Sequence, residues 1–364
     1  MKNILTALLL AFTTIVNAKD YIVPTMDVGL YFATLPEDAT VLIFSDAVVY
    51  SSEGDIPLPS RSLIIDGNMC RLNLGPNSNG FVASVTDQAD ANTKIERKFI
   101  IRNFSKITGG KKAIDLSATF MSRVEDVELV SQTECAIDLR FCLMATAQNL
   151  KITLNRYDGI RVRNGDWPGA GVSNSQSNST TLDRVRIYNG PTANRAFTFQ
   201  HANSGRMVQC VSEGYGPEYD LWLDASSGTN PVASNPVVKQ FSCDGLHVEH
   251  GAYQAKSASV WVNMPSKCSV RLSRMYWNYV PNKPVIEYTM GALVLSDIGW
   301  WTIYHYISSR IQSPRIHVYD SHDELKRAAT VTNNRCGSFR LSDNALPGNV
   351  QLTPAYVTIT QPNI

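Results

Sequence analysis

No C-x-x-C pair occurs in the 364 residues, although seven cysteines do. Cys70, Cys135, Cys142, Cys210, Cys243, Cys268 and Cys336 make an odd set. They signal neither a paired disulfide framework nor a zinc module. Several fall in strand-like runs, where a small buried side chain is expected. Charge is scarce too: 18 % of residues are Asp, Glu, Lys or Arg, and 33 basic against 32 acidic leave a net charge of +1. That balance excludes the electrostatic footprint of a nucleic-acid binder. The chain lacks a glycine-rich phosphate loop, a G-x-S-x-G elbow and an H-E-x-x-H stretch. Nucleotide, serine-hydrolase and zinc-protease chemistry therefore have no signature here, and no cofactor or metal is expected. Beyond the N-terminus no apolar run is long enough to span a bilayer.

What is present begins with "MKNILTALLLAFTTIVNAKD". Lys2 gives a positive start, Ile4 to Val16 form an apolar stretch, and Val16-Asn17-Ala18 places small residues before a cleavage point. Residues 1–18 read as a secretory signal peptide or, if retained, as an apolar N-terminal anchor. The hydrophobic fraction of 44 % suits a chain with a sizeable core.

A repeat organises the rest. The letters AIDL occur at 113–116 and again at 136–139. They belong to a series of short runs with apolar residues two apart: AIDLS, AIDLR, GIRVR, AFTFQ, DLWLD, SVWVN and VIEYT, with offsets of 23, 23, 37, 24, 39 and 26. A second series, including DVELV, NLKIT, RVRIY, LHVEH, SVRLS and ALVLS, runs out of phase with it. Strict alternation and abundant Val, Ile and Thr exclude helices. A period near 24 with two or more strands predicts an all-β fold: a single-stranded right-handed parallel β-helix, one coil per repeat. Residues 98–322 form the β-helix, 19–97 an N-terminal cap and first coils, and 323–364 a C-terminal cap or oligomer contact. In that tail "DELKRAA" reads as a helix, and "SFRLSD" and "AYVTITQ" as strands.

Stacking at about 4.8 Å puts like positions in files. The middle outward residues form the file Asp115, Asp138, Arg161, Thr198, Trp222, Trp261 and Glu287. Trp222 and Trp261 then lie one coil apart, an aromatic platform for a sugar ring or a second subunit. Two surplus loops, 163–181 with Trp167 and 224–237, leave the same corner two coils apart and read as the ridge of a groove.

Glycan cleavage needs two carboxylates, or a carboxylate with a base. Asp220 and Asp224 flank Trp222, while Asp244, His247, Glu249 and His250 crowd "CDGLHVEHG". Asp220, Asp224, Asp244, His247 and Glu249 are the candidate catalytic residues; Trp167, Trp222 and Trp261 are the candidate glycan or subunit contacts. His247 and Glu249 share one side of a strand but lack a third ligand for a metal.

Four stretches, "DGIRVRNGDWPG", "SNSQSNSTTLDRVRIYNG", "AFTFQHANSGRMVQCVSEGYG" and "FSCDGLHVEHG", resemble the pectate-lyase-like right-handed parallel β-helix superfamily. Within it the chain looks most like the β-helices of phage tailspikes and related virion proteins. The resemblance spans about Lys98 to Asp320. It implies a rigid rod, often a homotrimer, displaying a groove to a glycan or cell-surface receptor and contacting other virion proteins. The superfamily's catalytic sets have no residue-by-residue match; "CDG" and "EHG" are distant echoes. Two functions follow as expectations: a structural or recognition protein at a virion surface, or a secreted extracellular polysaccharide lyase or glycoside hydrolase.

Overall fold

The computed structural model describes residues 19–224, 240–252, 259–263 and 269–277, then the short strands 286–288, 292–296, 299–300, 305–309, 315–319 and 339–341. The N-terminal segment 1–18, the "DELKRAA" helix and the "AYVTITQ" strand lie outside these. The fold is the expected parallel β-helix: two long sheets wind along the chain, and every recorded strand pair is parallel.

One sheet carries the first series. It runs through Asn79–Ala83, Lys112–Phe120, Cys135–Leu143, Asp158–Arg163, Arg195–Gln200, Tyr219–Asp224 and Val260–Asn263. Register pairs Ile114 with Ile137, then Ile160, Phe197, Leu221 and Val260. Leu116, Leu139, Val162, Phe199, Leu223 and Val262 form a second inward file. Both files are buried in one continuous core. Each fully buried aliphatic side chain contributes about 1.5–3 kcal/mol relative to exposure, so the repeat is held by its own copies. The sheet continues past the proposed boundary at 322: Phe339–Leu341, within the predicted "SFRLSD" strand, pairs with His305–Ile307.

The other sheet carries the second series, with strands Phe99–Gly109, Arg123–Val130, Thr146–Asn155 and Thr181–Asn189. It bends within each coil. Phe99–Gly109 pairs with Leu63–Asp66 on one side of the bend and with Arg71–Leu74 on the other. The bend falls on single residues with positive φ: Asn103, Asp126, Asn149, Arg184, Gln209, Gly245 and Arg274. A left-handed conformation costs a non-glycine residue roughly 1–2 kcal/mol. Side-chain bonds between neighbours oppose that cost: Asn149 Nδ2 donates to Asp126 Oδ1 at 3.1 Å, and Arg184 Nε to Asn149 Oδ1 at 2.7 Å. The bent sheet gives two walls and the first sheet the third.

At the N-terminal end, helix α1 (Val28–Ala33) closes the bore. Asp27 caps it, accepting from Leu30 N–H at 3.0 Å, and Phe32 reaches Phe81 at 5.8 Å between ring centroids. Phe81, Phe104, Phe44 and Tyr50 continue the aromatic filling. Helix α2 (Gln88–Lys94) lies outside the bore and packs on the first sheet through Ala91 and Ala118.

Candidate functional site

The outward file falls into register as its spacing predicts: Asp115, Asp138, Arg161, Thr198, Trp222, Trp261 and Glu287 are successive Cα partners. Its lower half is not a solvated face. Asp138 is 0 % exposed and Asp115 is buried. Two carboxylates one rung apart repel and need flanking cations, which neighbouring files supply. Lys112 Nζ lies 2.9 Å from Asp115 Oδ2 and 3.0 Å from Asp138 Oδ2. Arg163 grips Asp138 with Nε at 2.9 Å and Nη2 at 2.8 Å, and Arg161 Nη2 adds a third contact at 3.2 Å. Arg140 bridges Asp115 at 2.7 Å and Asp166 at 2.9 Å; Arg163 holds the other Asp166 oxygen at 2.7 Å. Glu134 pairs with Arg161 at 2.7 Å. Burial opposes ionisation of Asp138, but the charges and hydrogen bonds of Arg163, Arg161 and Lys112 outweigh it and hold the acid well below its usual range. Lys112, Glu134, Arg140 and Arg163 escaped the sequence reading. The readable signal was the stacked pair of aspartates, which demands counter-charges within reach.

Asp158 differs. Burial pushes its carboxyl up to about 6, and the charges of Arg161 and Arg195 offset only part of that. Because the folded value lies above the unfolded one, its stabilising contribution is complete below about pH 4 and fades as pH rises through 6. Asp158→Asn is therefore expected to gain on the wild type with rising pH, by on the order of 2 kcal/mol between pH 4 and 7. Urea midpoints at four pH values check this; a pH-independent difference would contradict it.

The surplus loops leave the same file, since Gln200 pairs with both Arg163 and Asp224. The second loop lies outside the described residues. The first packs onto the sheet, with Trp167 as its anchor rather than a display residue. The ring is 8 % exposed, sits 6.4 Å from Phe141, and donates Nε1 to Gln88 Oε1 at 3.2 Å. Asp166 and Trp167 thus fasten the loop to the charge cage and to α2.

Trp222 and Trp261 are the expected neighbours, and the chain itself lies against both. The Arg195 guanidinium stands 3.7 Å over the Trp222 ring, and Tyr219 lies 5.8 Å from Trp261, which is 9 % exposed.

The structure separates the candidate acids. Asp220 does not share the outer face with Trp222. It occupies the rung of Ala196, where the two residues at the strand's start, Ala196 and Phe197, both face the core. Its carboxylate lies inside, accepting from Ser212 Oγ at 2.5 Å and Ser259 Oγ at 2.6 Å, with His250 Nε2 at 2.9 Å. Both serines bond the carboxylate, so this trio does not form the relay of a nucleophilic serine. Asp224 is buried. Asp244 is paired with Arg274, whose Nε lies at 2.5 Å and holds the acid low. His247 and Glu249 do share the outer side of their strand, 3.2 Å apart and exposed. Among the described residues no group of three or more His, Cys, Asp or Glu side chains is arranged to hold a metal ion. The five described cysteines are free and buried, and burial pushes the thiols of Cys135 and Cys142 up to about 12.

Comparison of the chain with family models, with curated proteins and with solved structures found no match in any of the three.

Proposed function

We propose that the protein is a structural and recognition β-helix of a phage or virus particle, a spike, fibre or decoration that meets a glycan or cell-surface receptor. The observation that carries this reading is the engagement of Asp115, Asp138, Asp166, Asp220 and Asp244, which leaves Glu249, exposed beside His247, as the acid that the assay below tests. Asp115, Asp138 and Asp166 are locked by Lys112, Arg140, Arg161 and Arg163. Asp220 lies in the bore, and Asp244 is held by Arg274. A general acid must hold a proton near neutral pH within reach of substrate, and these pairings work against both conditions. The five described cysteines are free and buried, which fits a protein folded in a reducing cytosol, where virion parts assemble. The interlocked outer face suits a rod that must keep its shape, and homotrimeric assembly with other virion proteins belongs to the same reading.

The test is product release from a panel of bacterial and host-cell glycans, read as reducing ends and as absorbance of unsaturated products. No turnover above buffer is expected, together with a mass in solution of three chains. Release that is abolished by Glu249→Gln with the melting temperature unchanged would instead establish a secreted polysaccharide lyase or glycoside hydrolase.

A further inference from the structure

Between the charge cage and the paired tryptophans, the outer face changes character. On two neighbouring rungs Asp158 pairs in register with Arg195, and Arg161 with Thr198. Asp158 and Thr198 are each 1 % exposed. Four buried polar atoms of this group have no hydrogen-bond partner: Asp158 Oδ1, Arg161 Nε, Arg195 Nε and Thr198 Oγ1. Buried polar atoms are rarely left so, and each costs about 1–3 kcal/mol. Their concentration at one place asks for a ligand that supplies both acceptors and a donor.

Arg195 defines the acceptor. Arg161 and Arg163 on the coil below are ion-paired, whereas Arg195 has no carboxylate at ion-pair distance among the described residues and instead stacks on Trp222. Stacking fixes the guanidinium plane and leaves its in-plane N–H groups for a planar anion, the geometry that carboxylates match in bidentate fashion. The Thr198 hydroxyl, next in file to Trp222, is a further donor, while Arg161 Nε lies 3.8 Å from Asp158 Oδ2 and holds that carboxylate in place. Asp158 Oδ1 is the one acceptor, and it suits a hydroxyl. A carboxylate with a hydroxyl on the same small ring fits this set; sulfate or phosphate alone does not, since neither brings the donor. Arg195 is half-buried, so the group meets the protein surface at this residue. Trp222 and Tyr219, both partly exposed, lie alongside and offer apolar surface to a pyranose.

We infer that Arg195, Thr198, Arg161 and Asp158, beside Trp222, form a subsite for an acidic sugar, its carboxylate on Arg195 and Thr198 and one hydroxyl on Asp158. This rests on the recognition reading above and names the chemical class that the face selects.

The experiment is calorimetric titration of the full chain with glucuronate-, galacturonate- and neuraminate-bearing oligosaccharides, each as the free acid and as its methyl ester. At least one free acid should bind, with its ester at least tenfold weaker. Thr198→Val, which keeps shape and removes the hydroxyl, should weaken that acid about tenfold. Arg195→Lys, which keeps charge and loses the fork, should weaken it further, with the melting temperature of both variants near that of the wild type. Equal binding of acid and ester would overturn the subsite while leaving glycan recognition standing. Equal binding of a glutamate-rich hexapeptide would overturn the sugar assignment. Wild-type affinity in both variants would place the sugar elsewhere. Absence of binding by any glycan at millimolar concentration would remove the subsite, whereas glycan cleavage would remove the non-enzymatic reading instead.

Discussion

Replacing Asp138 with alanine is expected to destabilise the β-helix by about 3 kcal/mol, the cost of removing the shared carboxylate from a buried ionic cluster. The carboxylate neutralises Lys112, Arg161 and Arg163 at once, at 0 % exposure. Its removal takes the shared, most buried partner from all three and leaves Lys112 with Asp115, Arg161 with Glu134 and Arg163 with Asp166. Asp244→Ala provides the contrast. That acid also pairs with an arginine, but Arg274 is well exposed, and the loss should stay below about 1 kcal/mol. The pH dependence follows from the sign of the shift. The folded value of Asp138 lies below the unfolded one, so its contribution is complete above about pH 4 and is lost only as pH falls through the depressed folded value. Urea denaturation at pH 7 and pH 5 should therefore give the same gap between wild type and Asp138→Ala. A gap under about 1 kcal/mol would mean that the cage is solvated.

The second large effect lies inside the bore. Asp220→Ala should cost about 3 kcal/mol, because it removes the buried carboxylate that His250, Ser212 and Ser259 share. The coil below suggests the test. There the equivalent positions carry Ala196 and Gly214, since Asp220 stacks on Ala196 and His250 on Gly214, so that coil has neither the acid nor the imidazole. The double variant Asp220→Ala/His250→Ala removes both members of the pair, as in that coil, and should cost less than the sum of the single changes, a coupling that a double-mutant cycle measures. In the wild type, burial lowers the His250 pKa, but the charge and hydrogen bond of Asp220 outweigh it and raise the value overall. A raised histidine stabilises fully below its unfolded value near 6.5 and loses that contribution as pH climbs through the folded value. The cost of Asp220→Ala should accordingly shrink above neutrality. A cost that grows with pH would contradict the protonated pair.

The architecture was legible because it is written in apolar residues. AIDL at 113–116 and 136–139 gave the coil length, and the inward leucines and isoleucines fixed the register, including the Trp222–Trp261 pairing. The shared exit of the surplus loops followed from the same register. Three features were not legible. The bends fall on Asn103, Asp126, Asn149, Arg184, Gln209 and Arg274, where only Gly245 advertises a left-handed backbone. Alternation fails at the start of each strand of the first sheet, where Ala113 and Ile114, or Ala196 and Phe197, both face inward. That slip is why Asp220 looked like a surface acid. Finally, a period tells which way a residue points but not what covers it. Asp115 and Asp138 point outward as expected, yet they are buried beneath cations from adjacent files.

The stacking register across the first surplus loop is the point on which the site geometry depends, and engineered cross-linking tests it most directly. Gln148 and Asp183 are Cα partners on opposite sides of that loop, as are Lys151 and Arg186. Neighbouring parallel strands sit about 4.8 Å apart, within disulfide reach, and the five described native thiols are buried. Gln148→Cys with Asp183→Cys should form a disulfide under mild oxidation, found by peptide mass mapping, whereas Gln148→Cys with Arg186→Cys should not. Efficient bridging of the second pair and none of the first would contradict the register, and with it the file that places Arg161 and Thr198 beside Trp222.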